Sequence, residues 1–251
     1  IQGLTLRLLN SESQVEIIAY TPLPEAQHPI PEPATPAQPP KDIVSNEELY
    51  LNGLHLEQYR HAIYRPEPYY LEALKRDPDD SRCNNAMGLL LYRRGQFTEA
   101  EDYFRRAVGR LTQRNPNPYD SESYYNLGLA LKMQGKYALA KDAFYKATWN
   151  AAWQDNAYFE LAKLATRNVR FEEALDLLER ALDRNTRHHK ARHLKIAVLR
   201  KLDRIAEAKH ELEVSLQLDC LNLGAYYEQY LLEESRTYQI LMRNDVHNYI
   251  E

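Results

Sequence analysis

The spacing of hydrophobic positions changes twice along the chain. Residues 4–9 and 15–20 are short β-prone runs, and the polar segment 10–13 separates them. This pattern predicts a β-hairpin. From Ser45 onward the apolar residues recur with the period of an α-helix, with almost no strand-like alternation. We therefore expect a mainly helical protein whose residues 1–20 hold a hairpin.

An isolated hairpin is marginally stable in water. We interpret residues 1–20 as the remnant of an upstream β domain, with a ribbon lying on the helical part as the alternative. The segment 21–44 carries eight prolines between residues 21 and 41. This density predicts a semi-rigid, extended linker. A ligand for aromatic-grooved domains is the other interpretation of such a stretch.

The helical part contains an internal repeat. Aligning Gly88, Gly128, Ala162 and Ile196 places four segments in register, with offsets of 40, 34 and 34 residues. We expect four repeats, at about 81–114, 121–154, 155–188 and 189–221. The first offset exceeds the others by six residues, so an insertion is expected in the loop at 112–120.

The second repeat carries the most regular set of residues, namely Tyr124, Leu127, Gly128, Leu131, Gly135, Tyr137, Ala140, Phe144 and Ala147. This set and the 34-residue period resemble the tetratricopeptide repeat (TPR) family. The resemblance implies an all-α fold, a TPR helical solenoid (α-α superhelix) built from stacked antiparallel helix pairs.

The ends of a solenoid need atypical repeats, because their outer faces meet water. We expect residues 45–80 to be a degenerate N-terminal capping repeat and residues 222–251 to be truncated C-terminal capping helices. The chain begins with Ile1 and stops at Glu251 in what reads as the first turn of another helix. We expect it to be a piece of a longer protein.

The order of hairpin, proline-rich segment and repeats is also similar to a narrower group. The sequences of residues 53–59 and 148–153 are similar to the same group. The group comprises large bacterial proteins with an N-terminal β-sandwich domain of uncharacterised function followed by TPR repeats. This resemblance implies no activity for the chain itself.

The net charge and the cysteine content do not indicate a particular class of binding partner. The formal net charge is -4, which does not favour nucleic acid, and no apolar run approaches the length of a membrane helix. Cys83 and Cys220 lie far apart without metal-type spacing, so reduced thiols are expected. We expect a soluble, cytoplasmic protein without cofactors. We find no motif that would make it an enzyme.

In the TPR family the first helix of each pair lines a concave groove. The resemblance implies that this groove is lined by Arg82, Asn85, Leu89, Tyr92, Arg93, Glu122, Tyr125, Leu129, Lys132, Met133, Asn156, Phe159, Lys163, Thr166, Arg167, Lys190, His193, Ala197, Arg200 and Lys201. Eight of these residues are basic and one is acidic, so the groove is expected to suit an acidic segment. The alternative is that these cations pair with Asp and Glu on neighbouring helices.

Asn126 is a further candidate, for hydrogen bonding to the backbone of a ligand. It alone falls on a position that matches the carboxylate clamp known in one branch of the family, so that clamp is not expected here.

His189 and His193 are four residues apart and could share a metal ion, but no third ligand is evident. We therefore expect His188, His189 and His193 to be solvated. Trp149 and Trp153 are expected to fill the step between the second and third repeats.

These observations favour a scaffold that binds a peptide or protein segment, with an acidic segment as the expected partner. Two alternatives stay open. The chain could be the docking or accessory arm of a larger carbohydrate-related bacterial protein, or it could be a self-association module that forms a homodimer.

Overall fold

The computed structural model describes residues 4–22, 36–59 and 62–233. The chain divides into two compact units, residues 1–38 and residues 39–251, and each is described separately. Within the first unit, β1 (Leu6–Leu9) and β2 (Glu16–Tyr20) form the predicted antiparallel hairpin. The turn is held by Asn10, whose Oδ1 accepts hydrogen bonds from the backbone N–H groups of Glu12 and Ser13 at 2.9 Å.

Only the ends of the proline-rich segment lie within the described residues. Pro40–Asp42 form a short 3-10 turn, although the density of prolines predicted extended chain up to residue 44. Arg76 Nη1 donates hydrogen bonds to the carbonyl oxygens of Ile43 and Val44 at 2.8 and 3.0 Å. Ile43 is buried. These contacts make residues 40–44 part of the helical unit.

Eleven α-helices follow one another in the described part of the second unit. They are α1 (Asn46–Gln58), α2 (Glu67–Arg76), α3 (Ser81–Arg93), α4 (Phe97–Thr112), α5 (Glu122–Met133), α6 (Tyr137–Ala147), α7 (Gln154–Arg167), α8 (Phe171–Arg184), α9 (His189–Lys201), α10 (Ile205–Leu218) and α11 (Leu223–Glu233). The expected insertion lies between α4 and α5. The final part of the predicted C-terminal cap, residues 234–251, lies outside the described residues.

The first helix of each of four pairs ends in the same hydrogen-bonded turn. In each turn the N–H of one residue bonds to the carbonyl oxygen five residues earlier, as in Gln96 to Leu91 at 3.0 Å and Arg170 to Ala165 at 2.9 Å. The residue before this donor has a positive φ and is Gly95, Gly135, Val169 or Asp203. These positions repeat with the offsets of 40, 34 and 34 that the sequence showed, so the four pairs share one turn geometry.

A glycine of one helix accommodates an aromatic ring of its partner helix. A Cβ built on Gly88 would lie 2.5 Å from Cε1 of Phe104, and one built on Gly128 would lie 2.6 Å from Cε1 of Phe144. The third repeat uses Ala162 with Leu178 at the same two positions, and these residues are also buried. A larger residue on one helix is thus matched by a smaller one on the other.

The pair formed by α1 and α2 is packed in the same way. A Cβ built on Gly53 would lie 2.4 Å from Cε1 of Tyr70, and Tyr70 is fully buried. Ala73 is also fully buried and follows Tyr70 by three residues, as Ala107 follows Phe104. Residues 46–77, which the sequence analysis treats as a degenerate cap, therefore share the internal packing of the repeats behind them.

Candidate peptide-binding groove

The first helices of successive pairs lie side by side. Lys132 on α5 pairs with Glu160 on α7, and Arg200 on α9 pairs with Glu228 on α11, at 2.6 and 3.3 Å. The second helices form the opposite layer, where Lys141 on α6 pairs with Glu173 on α8. We call the surface formed by α1, α3, α5, α7, α9 and α11 the groove face.

Five of the eight basic residues expected on the groove face pair with four carboxylates, and Glu160 is shared by two of them. The pairs are Arg82 with Glu47 at 2.6 Å, Arg93 with Glu57, Lys132 and Lys163 with Glu160, and Arg200 with Glu228. The groove face is therefore less basic than the family positions alone predict, as the alternative interpretation of those positions allowed. Glu47 and Glu57 escaped the sequence analysis because α1 was treated as a cap. The Gly53–Tyr70 pattern was the signal that could have revealed them.

Arg167, Lys190 and Lys201 remain as exposed cations on α7 and α9. Within the described ranges none of the three makes an ion pair at 4 Å or less. The guanidinium of Arg167 lies 4.3 Å from the ring centroid of Tyr137, a cation–π contact that retains the charge. The residual positive charge of the groove face is therefore concentrated on α7 and α9.

Three aromatic residues of the expected groove, Tyr92, Tyr125 and Phe159, are partly buried. Tyr125 stacks on Trp153 with ring centroids 5.0 Å apart, and Tyr92 packs against Phe97 at 5.4 Å. Burial raises the pKa of both tyrosine hydroxyls. Phe159 lies between the ring of His188 and the ammonium of Lys163, at centroid distances of 4.8 and 4.7 Å. Each is therefore held by a neighbouring side chain and is only partly exposed.

Only one of the two tryptophans fills a step between repeats. Trp153 does so through its contact with Tyr125. Trp149 is 64% exposed, and the ammonium of Lys146 lies 4.8 Å from its ring centroid. The prediction for Trp149 is therefore wrong. Trp149 precedes the short 3-10 turn Ala151–Trp153, and Trp153 is its last residue.

Asn126 is used inside the protein. Its side chain is only 4% exposed, and its Nδ2 donates to Oδ1 of Asn85 at 3.0 Å and to Oε1 of Glu122 at 3.5 Å. These bonds fix the Glu122 carboxylate beside Asn85. Asn126 therefore positions neighbouring groove residues.

The three histidines near the start of α9 are partly buried and hydrogen-bonded, so the expectation that they are solvated is wrong. Nδ1 of His188 accepts from the N–H of Ala191 at 3.1 Å and caps α9. Nε2 of His193 lies 2.7 Å from Oδ1 of Asn222, and Nδ1 of His189 lies 3.2 Å from Nδ2 of the same Asn222. Burial lowers the pKa of His193 and of His188. No group of three metal-ligating side chains lies within the described ranges.

A cavity of about 670 Å³ opens at the N-terminal end of the groove face. Three first helices line it: α1 contributes Tyr50, Leu54 and Glu57, α3 contributes Arg82, Asn85, Ala86, Leu89 and Arg93, and α5 contributes Glu122. Of the expected groove residues, the structure thus brings Arg82, Asn85, Leu89, Arg93 and Glu122 together around one space. Tyr92 lies on α3 outside the lining of this cavity, and the remaining groove residues lie along α5, α7 and α9.

Comparison with known proteins agrees with this architecture. Residues 80–148 match the tetratricopeptide repeat family. The chain folds as a TPR solenoid. The matched residues cover the first two repeats of the alignment at Gly88 and Gly128, and the turns at Val169 and Asp203 continue the same geometry beyond them.

Solved TPR structures have the same fold. PilF of Pseudomonas aeruginosa is 15% identical with a TM-score of 0.64, and the alignment covers 81% of this chain and 88% of that one. YrrB, a TPR protein with an unusual peptide-binding site, is 16% identical with a TM-score of 0.58, covering 74% and 92%. MamA of Desulfovibrio magneticus RS-1 is 18% identical with a TM-score of 0.58, covering 70% and 96%. At these identities the likeness concerns the fold.

None of the described helices of the TPR solenoid combines the length and the apolar character that crossing a membrane requires.

Cys83 is buried and Cys220 is exposed, and both are free thiols. Burial raises the pKa of the Cys83 thiol, so this side chain is a poor nucleophile.

Proposed function

We propose that the TPR solenoid is a protein-interaction scaffold that holds an extended segment of another protein along its groove face. The observation that carries this proposal is the cavity shared by α1, α3 and α5. It combines apolar side chains with hydrogen-bonding and charged groups, which is the composition of a ligand-binding cleft. The peptide-binding site of YrrB, a protein of the same fold, gives the proposal a precedent.

The exposed cations of α7 and α9 suit acidic residues in the bound segment. Arg167, Lys190 and Lys201 have no carboxylate partner in the part of the chain that the structure describes. An acidic ligand would therefore not have to displace an internal ion pair to reach them, as it would at Lys132 or Arg200. We assign the recognition of acidic side chains to these three residues.

Selection from a library of random peptides tests the proposal. The purified chain is compared with the triple variant Arg167→Glu, Lys190→Glu, Lys201→Glu. A control variant carries the same charge change on second helices, at Lys75, Arg106 and Lys209. We expect the wild type and the control to enrich one family of peptides with acidic residues, and the groove-face variant to lose it. Failure of the wild type to enrich any sequence family would refute the proposed function.

A further inference from the structure

Glu122 differs from four carboxylates on the neighbouring first helices. Glu47, Glu57, Glu160 and Glu228 each pair with an Arg or Lys side chain. Glu122 is partly buried at the wall of the cavity between α1, α3 and α5, and it makes no ion pair at 4 Å or less with any residue that the structure describes. A carboxylate removed from water without a counter-ion is unfavourable, and a cation supplied by a ligand would lower this cost.

The surroundings of Glu122 fix its position without neutralising it. Asn126 donates a hydrogen bond of 3.5 Å to its Oε1, and Asn126 is in turn bonded to Asn85. Burial, and then the negative charges of Asp120 and Glu57, raise the pKa of Glu122, while hydrogen bonds from Asn85 and Asn126 oppose this shift. The two amides orient the carboxylate, and the charges that shift its pKa, those of Asp120 and Glu57, have the same sign.

The rest of the cavity wall suits the aliphatic part of a long side chain. Leu54, Ala86 and Leu89 contribute apolar surface, and the ring of Tyr50 lies against the guanidinium of Arg82, 4.8 Å from it. Long basic side chains bury their methylene groups along apolar surface while their charged end reaches a polar partner. An apolar wall that ends at an oriented carboxylate is complementary to such a side chain.

The two arginines at the cavity do not reverse this complementarity. Arg82 is paired with Glu47, and Arg93 is paired with Glu57. Two guanidiniums thus stand against the three carboxylates of Glu47, Glu57 and Glu122, which leaves one negative charge at Glu122.

We infer that this cavity is a pocket for a lysine or arginine side chain, with Glu122 as its counter-ion. The inference rests on the proposed function, because the side chain belongs to the segment held on the groove face. It gives that segment a direction, with a basic residue at α3 and α5 and acidic residues at α7 and α9.

Small probes test the pocket independently of any peptide partner. N-acetyl-lysinamide, N-acetyl-argininamide and the uncharged N-acetyl-norleucinamide are titrated into the full chain, and NMR shifts of the side-chain amides of Asn85 and Asn126 are followed. We expect the two cationic probes to produce saturable shifts and norleucinamide to produce none. Glu122→Gln, which keeps the shape of the side chain, is expected to weaken binding by about tenfold. Glu213→Gln removes an exposed carboxylate from α10 and should bind like the wild type.

A titration of the wild type covers the case in which the variant is misfolded. Because the pKa of Glu122 is raised, lowering the pH through it protonates the carboxyl group, and binding of the lysinamide probe should be lost. Equal shifts with norleucinamide, or unchanged binding by folded Glu122→Gln, would overturn the inference. If peptides are enriched in the library selection but Glu122→Gln enriches Lys and Arg equally well, this inference fails while the proposed function stands.

Discussion

Lys132 on α5 donates a hydrogen bond of 2.6 Å from its Nζ to Oε2 of Glu160 on α7. The side chain of Glu160 is 6% exposed, and Lys163 binds its other oxygen. The contact joins two neighbouring repeats, so Lys132 stabilises the solenoid as well as lining its groove face.

Charge reversal at Lys132 is therefore expected to destabilise the fold. In Lys132→Glu a second carboxylate would face the nearly buried Glu160, with only Lys163 left to neutralise both. We expect the free energy of unfolding to fall by about 1–3 kcal/mol, less than for a fully buried pair because Lys132 is 21% exposed. Urea denaturation measures this. Arg167→Glu is the control and should change stability by less than about 1 kcal/mol, since this exposed side chain has only a cation–π contact. Equal stability of the two variants would contradict the structural role of Lys132.

Val169 holds a backbone conformation that β-branched residues disfavour. Its φ is 60°, in the turn where the first and second repeats have Gly95 and Gly135. Val169 is exposed, so its replacement removes little buried surface. We expect Val169→Gly to raise the free energy of unfolding by up to about 1 kcal/mol, because relief of the strain exceeds the entropic penalty of glycine. The reciprocal change Gly135→Val should lower it by about 1–2 kcal/mol. Thermal unfolding of the two variants shows whether each change raises or lowers stability. A loss of stability in Val169→Gly would refute the account of this turn.

Two helical glycines should respond oppositely to the same substitution. A Cβ at Gly128 would approach the buried ring of Phe144 to 2.6 Å, while a Cβ at Gly109 on α4 would meet nothing within 4 Å. Gly128→Ala is therefore expected to lower the free energy of unfolding by about 1–3 kcal/mol through overpacking. Gly109→Ala should raise it by up to about 1 kcal/mol through helix propensity. Chemical denaturation of both variants checks this, and two changes of the same sign would contradict the packing.

The stability of the α9–α11 region should depend on pH. Burial lowers the pKa of His193 in the folded state, although its hydrogen bond with Asn222 opposes the shift. The unfolded chain therefore binds more protons between the folded pKa and the ordinary value of about 6.5. Stability is present in full above about pH 6.5 and falls as the pH is lowered toward the folded pKa. Hydrogen exchange of α9 and α11 at pH 7.5 and 5.5, corrected for the intrinsic exchange rate, measures the change.

Two variants separate His193 from a general effect of acid. His193→Gln should reduce the pH dependence in α9 and α11, because Gln has no proton to gain. His210→Gln, at an exposed position on α10, should leave it intact. The interpretation is wrong if the two variants keep the same pH dependence.

The helical part of the fold could be predicted from sequence patterns within single repeats. Gly88 and Gly128 mark the places where a first helix closely approaches an aromatic ring of its partner, and the third repeat has the small residue Ala162 at the same position. In α1 and α2 Tyr70 follows Gly53 by 17 residues, whereas Phe104 follows Gly88 by 16. Because of this one additional residue, the pair does not fall in the register of the four repeats.

The ion pairing of the basic residues on the groove face could not be predicted from patterns within single repeats. Lys132, Arg93 and Arg200 count as free cations on a helical wheel, and their partners Glu160, Glu57 and Glu228 lie 28 to 36 residues away on adjacent first helices. Which cation meets which carboxylate depends on how the helices stack.

Residue order alone thus established the repeat, the paired helices and the turn between them, because periodicity and close helix crossing depend on residues within one repeat. The assembled solenoid decided which cations pair with carboxylates, that Trp153 rather than Trp149 packs on a neighbouring ring, and that Glu122 has no counter-ion among the described residues. Those properties arise from side chains of different repeats that only stacking brings within a few ångströms of each other.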